Sequence, residues 1–473
     1  MDLTSRLRSI VRSSKPPMPS PADREQPLPG AEGRNAYGGG RMAEGGLREL
    51  TYEPDTGAYE ATDDPDRIGA ILGGRIVSTE FGGCLVIDRR YEADRRHGSM
   101  PIGDCELVDD RGLKLLDPTL DAGVKPGPDP GATPRTVFID LETTGLSGGA
   151  GIVAFLVGCG YFDLGAFQVR QFLLTSFSAE RALLAAVAEF FDGAQLIVTY
   201  NGKTFDLPVM ETRWTFHRMA MPLDGVPHFD MLHPARRLWS TRTDADEGGC
   251  RLATLERLLL DVTRVGDVPG LDIPSRFFRF LRTGDPRPLE PVLEHNRLDL
   301  VSLAAVTAHA VRLAQSGADA CHDALEALSL GRVYERGGFL DQAERCYRRA
   351  TAVDGPRGCQ VEVRAEALYR LGLRLRRDRR FGEAAACWRD LIGLTSASHP
   401  RRHPAMRALR NFAAEALAIH HEHRDRDLTA ARELALFALG DSGENGPRSD
   451  GMRHRLARLD RKIGRNEARL FSS

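Results

Sequence analysis

Thr136-Val137-Phe138-Ile139-Asp140-Leu141-Glu142-Thr143-Thr144-Gly145-Leu146 begins as a run of β-branched and aromatic residues and ends in two carboxylates. The run reads as a buried strand. Successive strand side chains point to opposite faces, so Asp140 and Glu142 share one face while Ile139 and Leu141 share the other. The apolar pair belongs to a core, and the acidic pair then stands side by side at a strand end. Like charges that close repel unless a proton or a cation intervenes. A hard divalent ion such as Mg²⁺ or Mn²⁺ suits carboxylate oxygens; a solvated acidic strand end is the plain alternative.

Two further stretches carry acids. Tyr200-Asn201-Gly202-Lys203-Thr204-Phe205-Asp206-Leu207-Pro208 leaves a buried strand, turns at Asn201-Gly202 and enters a helix. Asp206 therefore stands at a helix start, where the dipole favours any acid. His295-Asn296-Arg297-Leu298-Asp299 lies in a helix expected from about Pro291 to Leu313. Positions i and i+4 share a helical face. His295 and Asp299 thus either point into one site or form an exposed ion pair worth about 0.3–0.5 kcal/mol. His228-Phe229-Asp230 adds an acid on a short strand. It either caps the helix that follows or orients a metal-bound water from a second layer. Arg236, Arg237 and Arg251 are read as phosphate contacts or as solvated helix faces.

The order D-x-E, then N-x-x-x-F-D, then H…D resembles the DEDD family of 3′–5′ exonucleases, on the ribonuclease H-like (DnaQ-like) fold. The resemblance covers about Thr136 to Leu313. It implies two divalent cations, Mg²⁺ or Mn²⁺, held by Asp140, Glu142, Asp206 and Asp299. Two such ions suit in-line phosphodiester displacement. It also implies that Thr143, Thr144, Gly145, Leu146, Asn201 and Phe205 contact the terminal nucleotides of a single-stranded DNA or RNA 3′ end. Leu146 and Phe205 can pack on base or sugar faces, a sequence-tolerant contact; for Phe205 an inward core position is the other reading. His295 departs from the commonest pattern, because it is a His at the spacing of the family's Tyr branch. An imidazole there can still orient or deprotonate water, so His295 is expected to assist catalysis without being indispensable.

Outward from these motifs the chain divides. Residues 1–66 are rich in Pro, Gly, Ser and charge, and read as mostly disordered. Residues 67–121 read as a small β-rich extension, with a hairpin turning at Gly82-Gly83. A Pro/Gly linker over 122–135 precedes an α/β ribonuclease H-like domain over 136–314, expected as a mixed five-stranded sheet with flanking helices. Its first three strands read as an antiparallel meander, and its fourth is entered by a helical crossover. From about 320 to 440 the pattern is wholly helical. Leu330-Gly331, Tyr334, Gly338, Ala343, Tyr347, Ala350 and Pro356 follow tetratricopeptide spacing, and a second copy contains Gly372, Ala384 and Trp388. This addition resembles predicted exonucleases of the YprB type. The tail, 441–473, is Arg-rich.

At 473 residues the chain is too long for one ordinary core, so two or three domains are expected. A net charge of −2 shows no overall basic balance, so any nucleic-acid surface must be local. The eight cysteines form no C-x-x-C pair and no Cys/His zinc spacing, as in reduced cytosolic proteins. With no apolar signal core and no run of membrane-spanning length, a soluble cytoplasmic protein is expected. Two functions follow as expectations. One is a metal-dependent 3′–5′ exonuclease. The other is a catalytically weak or inactive nuclease-fold scaffold whose tetratricopeptide-like region binds a protein partner.

Overall fold

The acidic strand forms inside a sheet, with neighbours on both edges. The structure is a computed structural model that describes residues 64–107, 111–122, 135–145, 151–240, 249–352, 360–397, 404–440 and 447–470. The segment up to residue 63, the linker over 123–134 and Leu146 lie outside the described residues. The strands, in chain order, are β1 Arg75–Thr79, β2 Gly82–Tyr91, β3 Arg96–His97, β4 Met100–Pro101, β5 Thr136–Thr143, β6 Ala154–Asp163, β7 Ala166–Leu173, β8 Leu196–Thr199 and β9 His228–Asp230. The main sheet has the order β1-β2-β7-β6-β5-β8-β9, and β3 and β4 form a separate small hairpin. β5, β6 and β7 are an antiparallel meander. β8 lies parallel to β5, and β9 parallel to β8.

The sheet therefore has seven strands where five were expected. The five of the expected domain are present, and the hairpin β1–β2 extends them by pairing β2 with β7 from Leu85↔Leu173 to Tyr91↔Phe167. An uncovered β7 would expose a row of unpaired backbone groups, and β2 covers it. The hairpin turns at Glu80-Phe81, two residues earlier than expected, because Thr79 pairs with Gly82. Gly82 has φ +116°, which places the glycine in the first rung of β2. The N-terminal boundary also moves. Helix α1, Pro65–Leu72, starts within the stretch read as disordered, capped by Asp64, which accepts from the Asp66 and Arg67 N–H groups.

Alternation on β5 sorts its side chains into two cores. Phe138 faces a cluster with Phe167, Val198, Phe229 and Trp239, while Val137 and Ile139 face one with Phe155, Leu183, Trp214 and Phe277. After helix α2, Arg111–Leu116, the second face is covered by α3, Glu180–Phe190, and α4, Asp206–Phe216. Glu180 locks these two together, accepting from Arg213 Nη2 at 2.6 Å and lying 2.8 Å from His217 Nε2. Next come α5, Leu232–Trp239, and α6, Leu252–Leu255, which runs into a π-turn over Glu256–Leu260. They are followed by α7, Ile273–Thr283, and the long α8, Glu290–Ser316. Phe277 of α7 stacks on Phe155 at 4.2 Å between ring centroids. Residues of α8 from Leu300 onward join the first cluster, whereas Val292 and Leu293 join the second. α8 thus crosses from one layer to the other at the level of the acids.

Beyond α8 the chain forms antiparallel helix pairs: α9 Ala324–Arg336 with α10 Leu340–Ala352, α11 Gln360–Arg377 with α12 Phe381–Ala397, and α13 Pro404–His420 with α14 Leu428–Gly440. A final helix, α15 Pro447–Leu470, packs on α14. Glycine admits the aromatic of the paired helix: Gly331 lies under Tyr347, and Gly372 under Trp388. Both positions recur after 41 residues (331 to 372, 347 to 388), longer than the ~34 of a tetratricopeptide repeat. Among the described residues no helix is long and apolar enough to cross a membrane.

The β3–β4 hairpin braces the π-turn. Ser99 N–H donates to Leu260 O at 2.7 Å, and His97 Nε2 lies 2.7 Å from Ser302 Oγ on α8. Gly98 sits between them at φ +58°, with no room for a Cβ against the Leu260 carbonyl. We expect Gly98→Ala to cost about 1–3 kcal/mol of unfolding free energy in urea titrations. Unchanged stability would mean the brace is not formed.

Candidate active site

Each acid is positioned by a different element. Asp140 and Glu142 project from the C-terminal half of β5, next to a register shift between Glu142 and Thr143. That bulge turns the chain out of the ladder. Thr143 Oγ1 then donates to Gly145 O at 2.7 Å, and Thr144 N–H donates to Val153 O at 2.9 Å. Thr144 Oγ1 accepts from Val153 N–H at 3.1 Å, which leaves its own proton available to a ligand. These bonds fix the chain as it leaves β5.

Asp206 is the first residue of α4. The turn before it needs Asn201 at φ +69° and Gly202 tight against the Thr199 side chain, where a Cβ has no room. Asp230 holds this turn from below. Fully buried, it accepts from Asn201 N–H at 2.7 Å and Lys203 N–H at 3.1 Å, and also from the N–H of Leu232, the first residue of α5, at 3.1 Å. Asp230 thus steadies the start of the following helix, as the capping reading expects, and supports the loop that delivers Asp206. Phe205 is 51 % exposed, so the inward core reading does not hold. It borders an open cavity of about 360 Å³ with Ile152, Thr212, Ile273 and Pro274, and Glu142, Asp206 and His295 line the same space. Asn201 is absent from that lining and serves the turn through its backbone.

α8 supplies the third motif and one residue the motif reading passed over. Asn296 is fully buried, and its Nδ2 donates to Asp140 Oδ2 at 2.8 Å and to Asp140 O at 3.0 Å. Its Oδ1 accepts from Gln171 Nε2 at 2.8 Å. Gly158, opposite Asp140 in the ladder, leaves the space that the Asn296 amide fills. His295 and Asp299 do share a face, with Nε2 lying 3.5 Å from Asp299 Oδ2. On its other side His295 Nδ1 lies 2.6 Å from Asp267 Oδ1.

Arg264 was equally hidden from periodicity. Its side chain is only 7 % exposed and bridges Glu256, Asp267 and Asp299. Its Nη1 reaches Asp267 Oδ2 at 3.1 Å, and its Nη2 holds Asp299 Oδ1. Arg264 and Asp267 lie in irregular chain between the π-turn and α7, where no hydrophobic period marks a position. The only available signal was charge alternating with Gly and Pro.

The four acids interact. Burial pushes the Asp140 carboxyl well above the ordinary range, and the charges of Asp299, Glu142 and Asp206 push it further. Glu142 is raised by burial and then by Asp299, Asp206 and Asp267. Asp206 is pushed up to about 7 by burial, although backbone N–H groups, Leu141's among them, hold it down. Burial raises Asp299 too, against the pull of Arg264 and His295. Four oxygen-donor side chains, short of positive charge, have the chemistry that hard divalent cations take. As they stand, no three His, Cys, Asp or Glu side chains among the described residues enclose an ion. Three of the four instead hold a donor of their own, Asp140 Asn296, Asp206 the Leu141 N–H and Asp299 Arg264, and Glu142 holds none that lowers it.

Residues 137–311 match the RNase H superfamily. Over 387 residues the chain is 31% identical to the protein YprB of Bacillus subtilis (strain 168), covering 80% of this chain and 86% of that protein. The chain belongs to the YprB family. Its α/β part is an RNase H-like domain, and the helix pairs follow that domain. A solved family B DNA polymerase from the hyperthermophilic archaeon Pyrobaculum calidifontis is matched at 18% identity with a TM-score of 0.30. That match covers 53% of this YprB-family chain and 31% of the polymerase.

In EDTA, we expect the thermal midpoint to fall as pH rises from about 5 to 8. The folded Asp206 carboxyl, pushed up to about 7 from 3.8, keeps a proton that the unfolded chain has already lost. The folded state binds more protons across that window, so stability drains away as pH rises through the folded value. Excess Mn²⁺ at pH 8 should restore the midpoint, and Asp206→Asn should flatten the profile. A wild-type profile that is flat in EDTA contradicts this electrostatic picture.

Proposed function

We propose that this chain is a metal-dependent nuclease that removes nucleotides from the 3′ end of single-stranded DNA or RNA. The observation that carries the reading is the gathering of Asp140, Glu142, Asp206 and Asp299 close enough to raise one another's carboxyls, with Glu142 and Asp206 lining an open cavity. RNase H-like domains belong to a superfamily of hydrolytic nucleases, which supports phosphodiester cleavage. The 3′ polarity rests on the likeness of the three motifs to DEDD exonucleases.

Asp140, Glu142, Asp206 and Asp299 would hold two divalent cations, Mg²⁺ or Mn²⁺, which when bound neutralise the phosphate and supply a water nucleophile at neutral pH. The chain's own groups do the rest. The cavity floor of Ile152, Ile273 and Pro274, with Phe205 at its edge, takes a base or sugar face without reading sequence. Thr143, Thr144 and Gly145 present polar groups where the strand enters. Asp267 Oδ1, 2.6 Å from His295 Nδ1, holds the ring with Nε2 facing the acids, 3.5 Å from Asp299 Oδ2, where the imidazole would orient or deprotonate water. Asp267 is thus a positioning residue for His295. Cytoplasmic location and a tetratricopeptide-like role for the helix pairs belong to the same proposal.

One observation favours the scaffold reading, in which the nuclease fold is weak or inactive and the helix pairs bind a protein. Arg264 already pairs with Asp299, the last of the four acids. Both readings meet in one assay, 5′-labelled DNA and RNA oligonucleotides incubated in parallel with Mg²⁺ or Mn²⁺. Stepwise shortening is expected, abolished by EDTA and by Asp140→Ala. Metal-independent cleavage, or cleavage that survives Asp140→Ala, excludes the chemistry; no cleavage at all favours the scaffold. Asp267→Ala should lower kcat about tenfold with KM unchanged. It should add nothing in a His295→Ala background. A full additional loss there would show that Asp267 does not act through His295.

A further inference from the structure

A groove of about 990 Å³ opens where the RNase H-like domain meets the first helix pair. Its walls are α2, the C-terminal end of α8, and the facing ends of α9 and α10. Arg111, Lys114, Arg336 and Arg345 line it, against Asp319 as the one acid among the described lining residues. Arg336 and Arg345 are exposed, and neither has an ion pair among the described residues. Arg336 also faces Arg237, whose guanidinium is lowered by burial and then by that neighbouring charge. Phe339, 47 % exposed, offers a ring at the same wall.

The groove is joined to the acids. Lys203, in the turn that delivers Asp206, pairs with Asp117 at 3.2 Å. Asp117 stands between Leu116, whose carbonyl accepts from Arg237, and Pro118, which lines the groove. From Asp299 to Ser316, α8 covers about 25 Å. That is roughly seven nucleotides at the 3.4 Å spacing of a stacked strand.

We propose that this groove holds the upstream phosphates of a single-stranded nucleic acid whose 3′ end lies at the acids. The inference rests on the nuclease reading for its direction and on the groove itself for binding. Arg336 and Arg345 attract a polyanion, and the exposed Phe339 ring adds base stacking. An acidic peptide would use the charges but not the reach of α8 to the acids.

The test is fluorescence anisotropy of a 5′-labelled single strand of about 20 nucleotides, in EDTA, so that binding is read without cleavage. The Arg336→Gln/Arg345→Gln protein should bind it roughly tenfold more weakly, and its log K against log salt slope should be shallower by about 1.4. Its cleavage of a trinucleotide should be unchanged, since both residues lie outside the catalytic machinery. An unaltered dissociation constant and salt slope would overturn the proposal, as would equal losses on the trinucleotide. Displacement of the oligonucleotide by poly-glutamate at lower charge concentration would assign the groove to a protein partner instead. The Asp140→Ala protein should retain full binding. If wild type binds in this way yet cleaves nothing, the nuclease reading falls while the groove stands.

Discussion

Carboxylates packed close together without a matching positive charge are the constraint from which the rest of this structure follows. A buried, unpaired charge costs several kcal/mol, and adding like charges beside it raises that cost. The fold meets it piecemeal. Asn296 serves Asp140, backbone N–H groups serve Asp206, and Arg264 with His295 serves Asp299. Nothing comparable lowers Glu142, whose neighbours all raise it. Such a pocket is poorly suited to a purely structural role and well suited to binding a cation. That asymmetry makes catalysis the better reading, even though Arg264 already holds one acid.

The surrounding architecture can be read as support for that pocket. Glycine at 158 admits the Asn296 amide, and Gln171 fixes that amide from β7, so the meander and α8 are tied together at Asp140. The small hairpin at residues 96–101 grips Leu260, the last residue of the π-turn. The chain leaves that turn directly into the segment carrying Arg264 and Asp267. The N-terminal extension thus does two things. It covers the β7 edge, and it steadies the segment on which His295 and Asp299 lean.

The acids were legible because each sat in a regular pattern. Period two placed Asp140 with Glu142, the i, i+4 rule placed His295 with Asp299, and the turn before a helix placed Asp206. The meander and the parallel crossover strand followed from the same periodicities. What stayed hidden was set by non-local or aperiodic contacts. The pairing of β2 with β7 joins residues some 80 positions apart, and no local pattern specifies it. The hairpin turn was misplaced because two glycines looked like a turn, whereas Gly82 belongs to a strand at positive φ. Arg264 and Asp267 sit in irregular chain, and the Arg264–Asp299 pair exists only in three dimensions. The donors that Asp140, Asp206 and Asp299 hold, Asn296, the Leu141 N–H and Arg264, come from distant parts of the chain and no local pattern names them.

The central claim is that these acids form a cation site, and Mn²⁺ titration by calorimetry at pH 8 measures it without requiring turnover. The account predicts about two ions per chain for wild type, as a two-metal site requires, with heat and stoichiometry reduced in Asp140→Asn. No binding by wild type, or binding indifferent to Asp140→Asn, would contradict it.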